Sequence, residues 1–464
     1  MPQENKLTTN PMVLVVAMVA ALSGLLFGFD TGVISGALLF LKKDFQLTAW
    51  GQESLVSAVL VGCILGVAAS GKLCDRLGRR KVLMYCAAVF LAGSLVTALA
   101  NSLALLTMGR LVVGIGIGVA SFAAPLYISE IAPSEVRGAL VSLNQLMITI
   151  GIVVSYLIDD LFAGFDQGWR YMFLMGAIPA LILGFGMFFL PASPRWLVAK
   201  GEEKKARQVL ARLNPAELVD KELAAIKQTA LNQPKGTWSE LAEPWVRPAL
   251  LVGVGIMFVQ QATGINTVIY YAPTIFKMAG FSSDTAAITA TLGVGLVNVL
   301  FTVVSIRLID RVGRKPLLSW GLICMIISLL ALGGAFWLAK ILGPSLRWVA
   351  VGSLFIYIAG FAVSLGPVAW LLIAEIYPLK IRGLAMSLAT LSNWVFNLVI
   401  AMSFLTITEA LGKAQTFWLY ALVGLGGWFF CRHLVPETKG SSLEVIEANL
   451  RAGRRTRDMG EPLP

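Results

Sequence analysis

Apolar runs of bilayer length, separated by short charged punctuation, organise this chain. A helix needs about 20 mostly apolar residues to cross the hydrocarbon core of a membrane. Twelve stretches qualify, near 12–40, 54–74, 82–101, 105–127, 139–160, 170–190, 249–272, 286–309, 317–339, 348–373, 384–406 and 414–434. One long polar segment, 191–247, separates the sixth from the seventh, and its charged stretches Glu202–Leu213 and Ala216–Leu231 have helix-forming composition. A short amphipathic helix is predicted at Ser441–Leu450, where a serine followed by acidic residues marks a helix start. The pattern predicts an all-α membrane protein with a six-helix unit over 1–190, a linker with short helices over 191–247, a second six-helix unit over 248–435 and a tail over 436–464. The first run is too long for the apolar part of a signal peptide and lacks a clear cleavage site, so it is expected to be retained as a span.

Composition agrees: 57% of the 464 residues are hydrophobic and 14% charged, against roughly 25% charged in soluble domains. The net charge of +11 would suggest nucleic-acid binding in a soluble protein. Here the basic residues punctuate apolar spans and form no separate basic domain, so no nucleic-acid partner is expected. Lys and Arg collect in cytoplasmic loops of membrane proteins. The short loop Asp75–Lys81 carries four basic residues and Asp310–Lys315 three, which places both termini and the 191–247 segment on the cytoplasmic side. The five cysteines show neither zinc-type spacing nor a disulfide framework, and His433 is the single histidine, so no metal and no cofactor are expected.

The two halves repeat. Asp75-Arg-Leu-Gly-Arg-Arg80 matches Asp310-Arg-Val-Gly-Arg-Lys315, and Ser129-Glu-Ile-Ala-Pro133 with Arg137-Gly138 matches Ala374-Glu-Ile-Tyr-Pro378 with Arg382-Gly383. Pro191-Ala-Ser-Pro-Arg195 answers Pro436-Glu-Thr-Lys-Gly440. A parallel repeat of six-helix halves implies a pseudo-twofold axis along the membrane normal and a substrate site between the halves, the major facilitator plan.

Polar groups at membrane depth are costly unless satisfied. The embedded amides are Gln145, Gln260, Gln261, Asn266, Asn298, Asn393 and Asn397. Each amide both donates and accepts, which suits a ring of hydroxyls; the alternative is glue between helices. Trp370 and Trp394 lie mid-span, where ring stacking competes with plain packing. A bend near Gly264 is expected to let Gln260, Gln261, Asn266 and Tyr270 converge, and Pro367 is expected to kink its helix. Asp30 sits inside the first span, and ionisable groups there are functional by default. Its expected partner is Arg110 in the fourth. Burial favours the neutral acid and the guanidinium favours the carboxylate, so a change in their distance or wetting would switch protonation. The alternative is a static ion pair. Gly114, Gly116 and Gly118 are read as helix-packing positions.

On these residues the whole chain resembles the sugar porters of the major facilitator superfamily, most of all the bacterial galactose–proton symporters. The resemblance rests on Gly28-Phe-Asp-Thr-Gly-Val-Ile-Ser-Gly36, the two Asp-Arg-x-Gly-Arg-Arg/Lys loops, Pro-x-Ser-Pro-Arg, Gln260-Gln261-x-x-Gly-Ile-Asn266 and Pro-Glu-Thr-Lys-Gly. Ala192 departs from it, since the family usually has Glu there. The resemblance implies that Gln145, Gln260, Gln261, Asn266, Asn298 and Trp370 contact sugar, with Phe27, Tyr270, Tyr271, Asn393, Trp394 and Asn397 lining or gating the site. It implies proton coupling through Asp30, which proton symporters carry and facilitative relatives generally lack. It implies gating salt bridges among Asp75, Arg79, Arg80, Glu130, Arg137, Arg195, Asp310, Arg314, Lys315, Glu375, Arg382 and Glu437 at cytoplasmic helix ends.

The expectation is therefore a secondary active transporter in a bacterial inner membrane, importing a hexose such as galactose or glucose with a proton. It is expected to work as a monomer, with the monosaccharide, the proton and the lipid bilayer as its partners. Competing readings are a facilitative uniporter of the same fold, a pentose– or polyol–proton symporter and a transporter-like sugar sensor. The chain carries no His-Glu-x-x-His, Walker loop or Gly-x-Ser-x-Gly, which argues against an enzyme and against an ATP-driven pump.

Overall fold

The structure, a computed structural model, describes residues 10–133, 136–232 and 237–461, without the side chains of 137, 139 and 229–232. Among them, 12 helices are long and apolar enough to cross a membrane. The N-terminal six are Pro11–Asp44, Ala49–Leu77, Arg79–Ala98, Leu103–Ile131, Leu140–Phe162 and Gly168–Phe189. The C-terminal six are Arg247–Met278, Asp284–Val312, Arg314–Trp337, Ala339–Ile376, Arg382–Leu411 and Lys413–Leu434. An even number of spans brings both ends of the chain to one face, here the terminal face; the other is the far face.

Small residues set the packing of the first half. In the first span Gly24, Gly28, Gly32 and Gly36 recur every four residues and so share one side of the helix. That side meets the fifth span so closely that a Cβ on Gly28 would lie 1.8 Å from the Ile148 carbonyl oxygen. Asp30 is two residues from Gly28, about 200° around the helix, and so faces away from this contact, toward the fourth span. The fourth span approaches the second in the same way: a Cβ on Gly114 would lie 2.0 Å from the Val59 carbonyl oxygen, and one on Gly118 2.3 Å from that of Cys63. Helix association in lipid depends on such close backbone approach.

The second half is built on broken helices. The seventh span divides into Arg247–Ala262 and Ile265–Met278 at Gly264, whose φ of 90° is left-handed. This is the break expected near Gly264. The hydroxyl of Tyr357 donates to the Thr263 carbonyl at the break, at 2.8 Å. The tenth span breaks at Ser364, between Leu346–Val363 and Leu365–Ile376. Pro367 lacks the N–H that Val363 would otherwise receive, and the Ser305 hydroxyl of the eighth span supplies a donor to that carbonyl at 2.9 Å. The eleventh span ends its first helix at Ala401 and resumes at Phe404–Leu411.

The segment between the halves forms Pro194–Ala199, Glu203–Leu213, Ala216–Asn232 and Trp238–Leu241, and the tail forms Leu443–Arg451 behind Ser442 as its cap. Lys380 ties the linker to the second half by an ion pair to Glu240 at 2.7 Å, and that hydrogen bond and charge hold the Glu240 carboxyl below its usual range.

If the glycine contacts set helix spacing, Gly114→Ala must displace the second span, at a cost of about 1–3 kcal/mol for overpacking. Gly71→Ala, where nothing lies within 4 Å, is expected to be neutral. Thermal unfolding of the two variants in detergent checks the contrast.

Candidate functional site between the halves

The break at Gly264 brings three amides of the seventh span onto one amide of the eleventh. Asn393 Nδ2 donates to Gln260 Oε1 at 2.7 Å, Gln261 Nε2 to Asn393 Oδ1 at 3.2 Å, and Asn266 Nδ2 to Gln261 Oε1 at 2.8 Å. Gln260 Nε2 donates to the Leu365 carbonyl at 2.8 Å, which fastens the cluster to the broken tenth span. Asn397 donates to the Tyr270 hydroxyl at 3.3 Å, and Tyr271 donates to the Ala401 carbonyl at 3.2 Å, where the eleventh span breaks. Gln260, Gln261, Asn393, Asn397, Tyr270 and Tyr271 are all buried.

Gln145, Asn298 and Trp370 behave differently. None makes a side-chain hydrogen bond among the described residues, although Asn298 is buried and the other two are half-buried. Their donors and acceptors are uncommitted, whereas those of the cluster hold one another. Across the midline, Phe27 of the first half meets Trp394 of the second with ring centroids 5.3 Å apart. The site thus combines aromatic faces from both halves, a rigid amide cluster in one half and free polar groups in both.

Asp30 and Arg110 meet as their sequence positions suggested. Arg110 Nη1 lies 2.5 Å from Asp30 Oδ1, and both side chains are buried. The contact is single-pronged. Among the described residues Arg110 Nε and Nη2 are buried with no hydrogen-bond partner, and the guanidinium lies 5.6 Å from the centroid of Phe173. A buried ion pair repays its desolvation only when its remaining groups are also satisfied. This one is not, so it is a poor strut.

The repeated motifs form matching pairs at the terminal face. Arg79 contacts Glu130 at 2.9 Å, and Arg314 takes Glu375 with two nitrogens at 2.8 and 3.2 Å. Asp75 and Asp310 are exposed and stand at 3.7 and 3.3 Å from the same two arginines. Glu437 accepts from the backbone N–H groups of Arg314 and Lys315, both at 3.0 Å, capping the ninth span. Its repeat mate is Ala192, so the third span has no such cap. Arg80 donates instead to the Met187 and Phe188 carbonyls, and Arg382 to that of Tyr377. Among the described residues Arg80, Arg195, Lys315 and Arg382 make no ion pair within 4 Å. The side chain of Arg137 lies outside the described positions.

Polar contacts between the halves gather at the far face, and sequence reasoning missed all of them. Lys43 pairs with Asp284 at 2.5 Å, and Thr289 donates to Asp160 at 2.5 Å. Glu53 accepts from the Thr406 N–H at 2.9 Å and the Thr406 hydroxyl at 2.6 Å, and Tyr156 donates to the Ile269 carbonyl at 3.1 Å. No hydrogen bond or ion pair joins the two halves at the terminal face among the described residues. The protein is therefore closed at the far face. The one legible signal was acidity at span ends, in Glu53 and Asp160, with no basic neighbour in sequence.

Residues 16–450 match the family described as "Sugar (and other) transporter". The chain is 46% identical to a putative metabolite transport protein, YwtG, of Bacillus subtilis, over 93% of each. It is 44% identical to the galactose–proton symporter of Escherichia coli over 97% of each. Among solved structures it resembles a partially occluded inward-open form of the xylose transporter XylE of E. coli, with a TM-score of 0.82 and 32% identity, covering 93% of this chain and 100% of that one.

Glu437→Ala would copy onto the second half the uncapped arrangement at Ala192. It is expected to cost about 0.5–2 kcal/mol, and Ala192→Glu is expected to stabilise in the opposite sense. Both shifts should shrink as salt is raised, which thermal unfolding at two ionic strengths reads directly.

Proposed function

The chain belongs to the sugar transporter family, and from that premise we propose that it imports a hexose, galactose or glucose, together with a proton. It does so across a bacterial inner membrane with both termini in the cytoplasm, as the positive-inside count favours. The terminal face is then the inner face, and the far-face closure is that of an inward-facing state. Sugar binds between the halves. Gln145, Asn298 and Trp370 offer it free polar groups, the Gln260–Gln261–Asn266–Asn393 cluster a fixed set of donors and acceptors, and Phe27 and Trp394 aromatic faces. Tyr270, Tyr271 and Asn397 line the path above it.

The observation that carries proton coupling is the single-pronged Asp30–Arg110 pair. Rocking the halves changes what surrounds the first span. A pair already short of hydrogen bonds separates more readily than a saturated one, and Asp30 can then take a proton as it leaves the arginine. Over ~100 mV one proton supplies about 2.3 kcal/mol, enough for roughly fiftyfold accumulation. Glu130, Arg79 and their repeat mates hold helix ends together within each half, so that each half moves as a unit.

Proteoliposomes with an inward proton gradient test the reading. Wild type is expected to accumulate radiolabelled galactose or glucose above equilibrium. Asp30→Asn should lose accumulation and keep sugar exchange; uphill uptake by that variant would remove Asp30 from the coupling. Xylose and arabinose run beside the hexoses decide the sugar.

Gln145→Ala and Asn298→Ala remove groups with no structural bond to lose. Each is expected to raise KM for the transported sugar by up to about tenfold with little effect on thermal stability. Gln260→Ala is expected to lower stability as well, because it removes the bonds that tie the seventh span to Leu365 and Asn393. Uptake kinetics and unfolding on the same preparations separate the two classes.

A further inference from the structure

Two of the far-face contacts share a feature that a generic salt bridge lacks: the partner in the second half is a backbone group that a helix break has set free. Pro273 has no N–H, so the Ile269 carbonyl, four residues earlier in the seventh span, has no helical donor. Tyr156 of the fifth span donates to it at 3.1 Å. The tyrosine is fully buried, and its ring passes the eighth span at Gly295, where a Cβ would come within 3.0 Å of it. In the eleventh span the helix restarts at Phe404, so Thr406 is in the first turn and its N–H has no helical acceptor. Glu53 of the second span supplies one, and takes the Thr406 hydroxyl with its other oxygen. Glu53 is fully buried and has no basic partner among the described residues.

We propose that Tyr156 and Glu53 are positioning residues for the transport cycle: side chains of the first half that close the far face by satisfying the backbone groups left open by breaks in the seventh and eleventh spans. The breaks and the closure then belong together. While the halves are shut, the Ile269 carbonyl and the Thr406 N–H are satisfied by protein. When the far face opens, both groups lose that partner and must be hydrated, so the seam cannot part without admitting water at these two points. An unmade bond to a buried backbone group is expensive where no water reaches. This makes the seam close sharply and open only as a wetted gate. Tyr156 and Glu53 touch neither the amide cluster nor the Asp30–Arg110 pair through any hydrogen bond.

The proposal rests on the rocking of the halves proposed above, but its test needs no sugar and no proton gradient, so it fails separately from the assignment of substrate. Spin labels are placed at Trp50→Cys and Glu409→Cys, exposed positions at the far ends of the second and eleventh spans, in a Cys324→Ser background where the remaining cysteines are buried. Distance distributions then give the ratio of far-face-closed to far-face-open protein. Tyr156→Phe is isosteric and should lower that ratio about five- to tenfold, the worth of one net hydrogen bond. Pro273→Ala restores an N–H four residues after Ile269 and so provides the missing helical donor. In that background Tyr156→Phe is expected to change the ratio by less than about twofold. Glu53→Gln with Pro273 intact should lower it about threefold or more. An unchanged ratio in Tyr156→Phe, or the same shift with and without Pro273, would overturn the role of Tyr156. An unchanged ratio in Glu53→Gln would overturn that of Glu53.

Discussion

The hydrocarbon core supplies no water, and every backbone group within it must find a partner in protein. An unbroken helix meets that demand internally. This protein breaks several of its spans, and several of the breaks leave backbone groups that another span satisfies. Thr263 is served by Tyr357, Val363 by Ser305, Ile269 by Tyr156 and Thr406 by Glu53. These bonds stitch the second half together and, at the far face, fasten it to the first. The irregular backbone that a transporter needs around its substrate is thus also what specifies how its helices meet.

The halves answer this constraint unequally. The first half is assembled largely by close contact of helices along glycine stripes, with Asp30 and Arg110 enclosed between them. The second half is assembled by amides and hydroxyls reaching across breaks. A half that encloses a buried ion pair and a polar, jointed half meet at one site. The titratable pair thus lies on one side of the midline and most of the embedded amides on the other. Arg79–Glu130 and Arg314–Glu375 keep the repeat symmetry at the terminal face, while Glu437 against Ala192 is where the two halves differ.

Much of this was written in one dimension. Twelve spans follow from hydropathy because a helix must cover a fixed thickness of hydrocarbon. The duplication follows from motif spacing, the membrane depth of Asp30 and Arg110 from their place within apolar runs, and the breaks at Gly264 and near Pro367 from residues whose φ or missing N–H forbids a plain helix. The glycine spacing of the first span also encoded which side meets a neighbour, since a four-residue period keeps one face.

Only the tertiary structure decided which groups meet across helices. Nothing in sequence joins Tyr156 to Ile269 or Glu53 to Thr406, because the acceptor or donor in each case is backbone and carries no residue identity. The same holds for Arg80, whose charge suggested an ion pair and whose donors go to carbonyls at the end of the sixth span. That Gln145, Asn298 and Trp370 make no side-chain hydrogen bond among the described residues while the other amides are bonded was equally invisible, since an Asn or Gln looks the same whether it is satisfied or waiting. Sequence fixes what a residue is able to bond and how deep it lies; the packing of twelve helices fixes which of those bonds are already made.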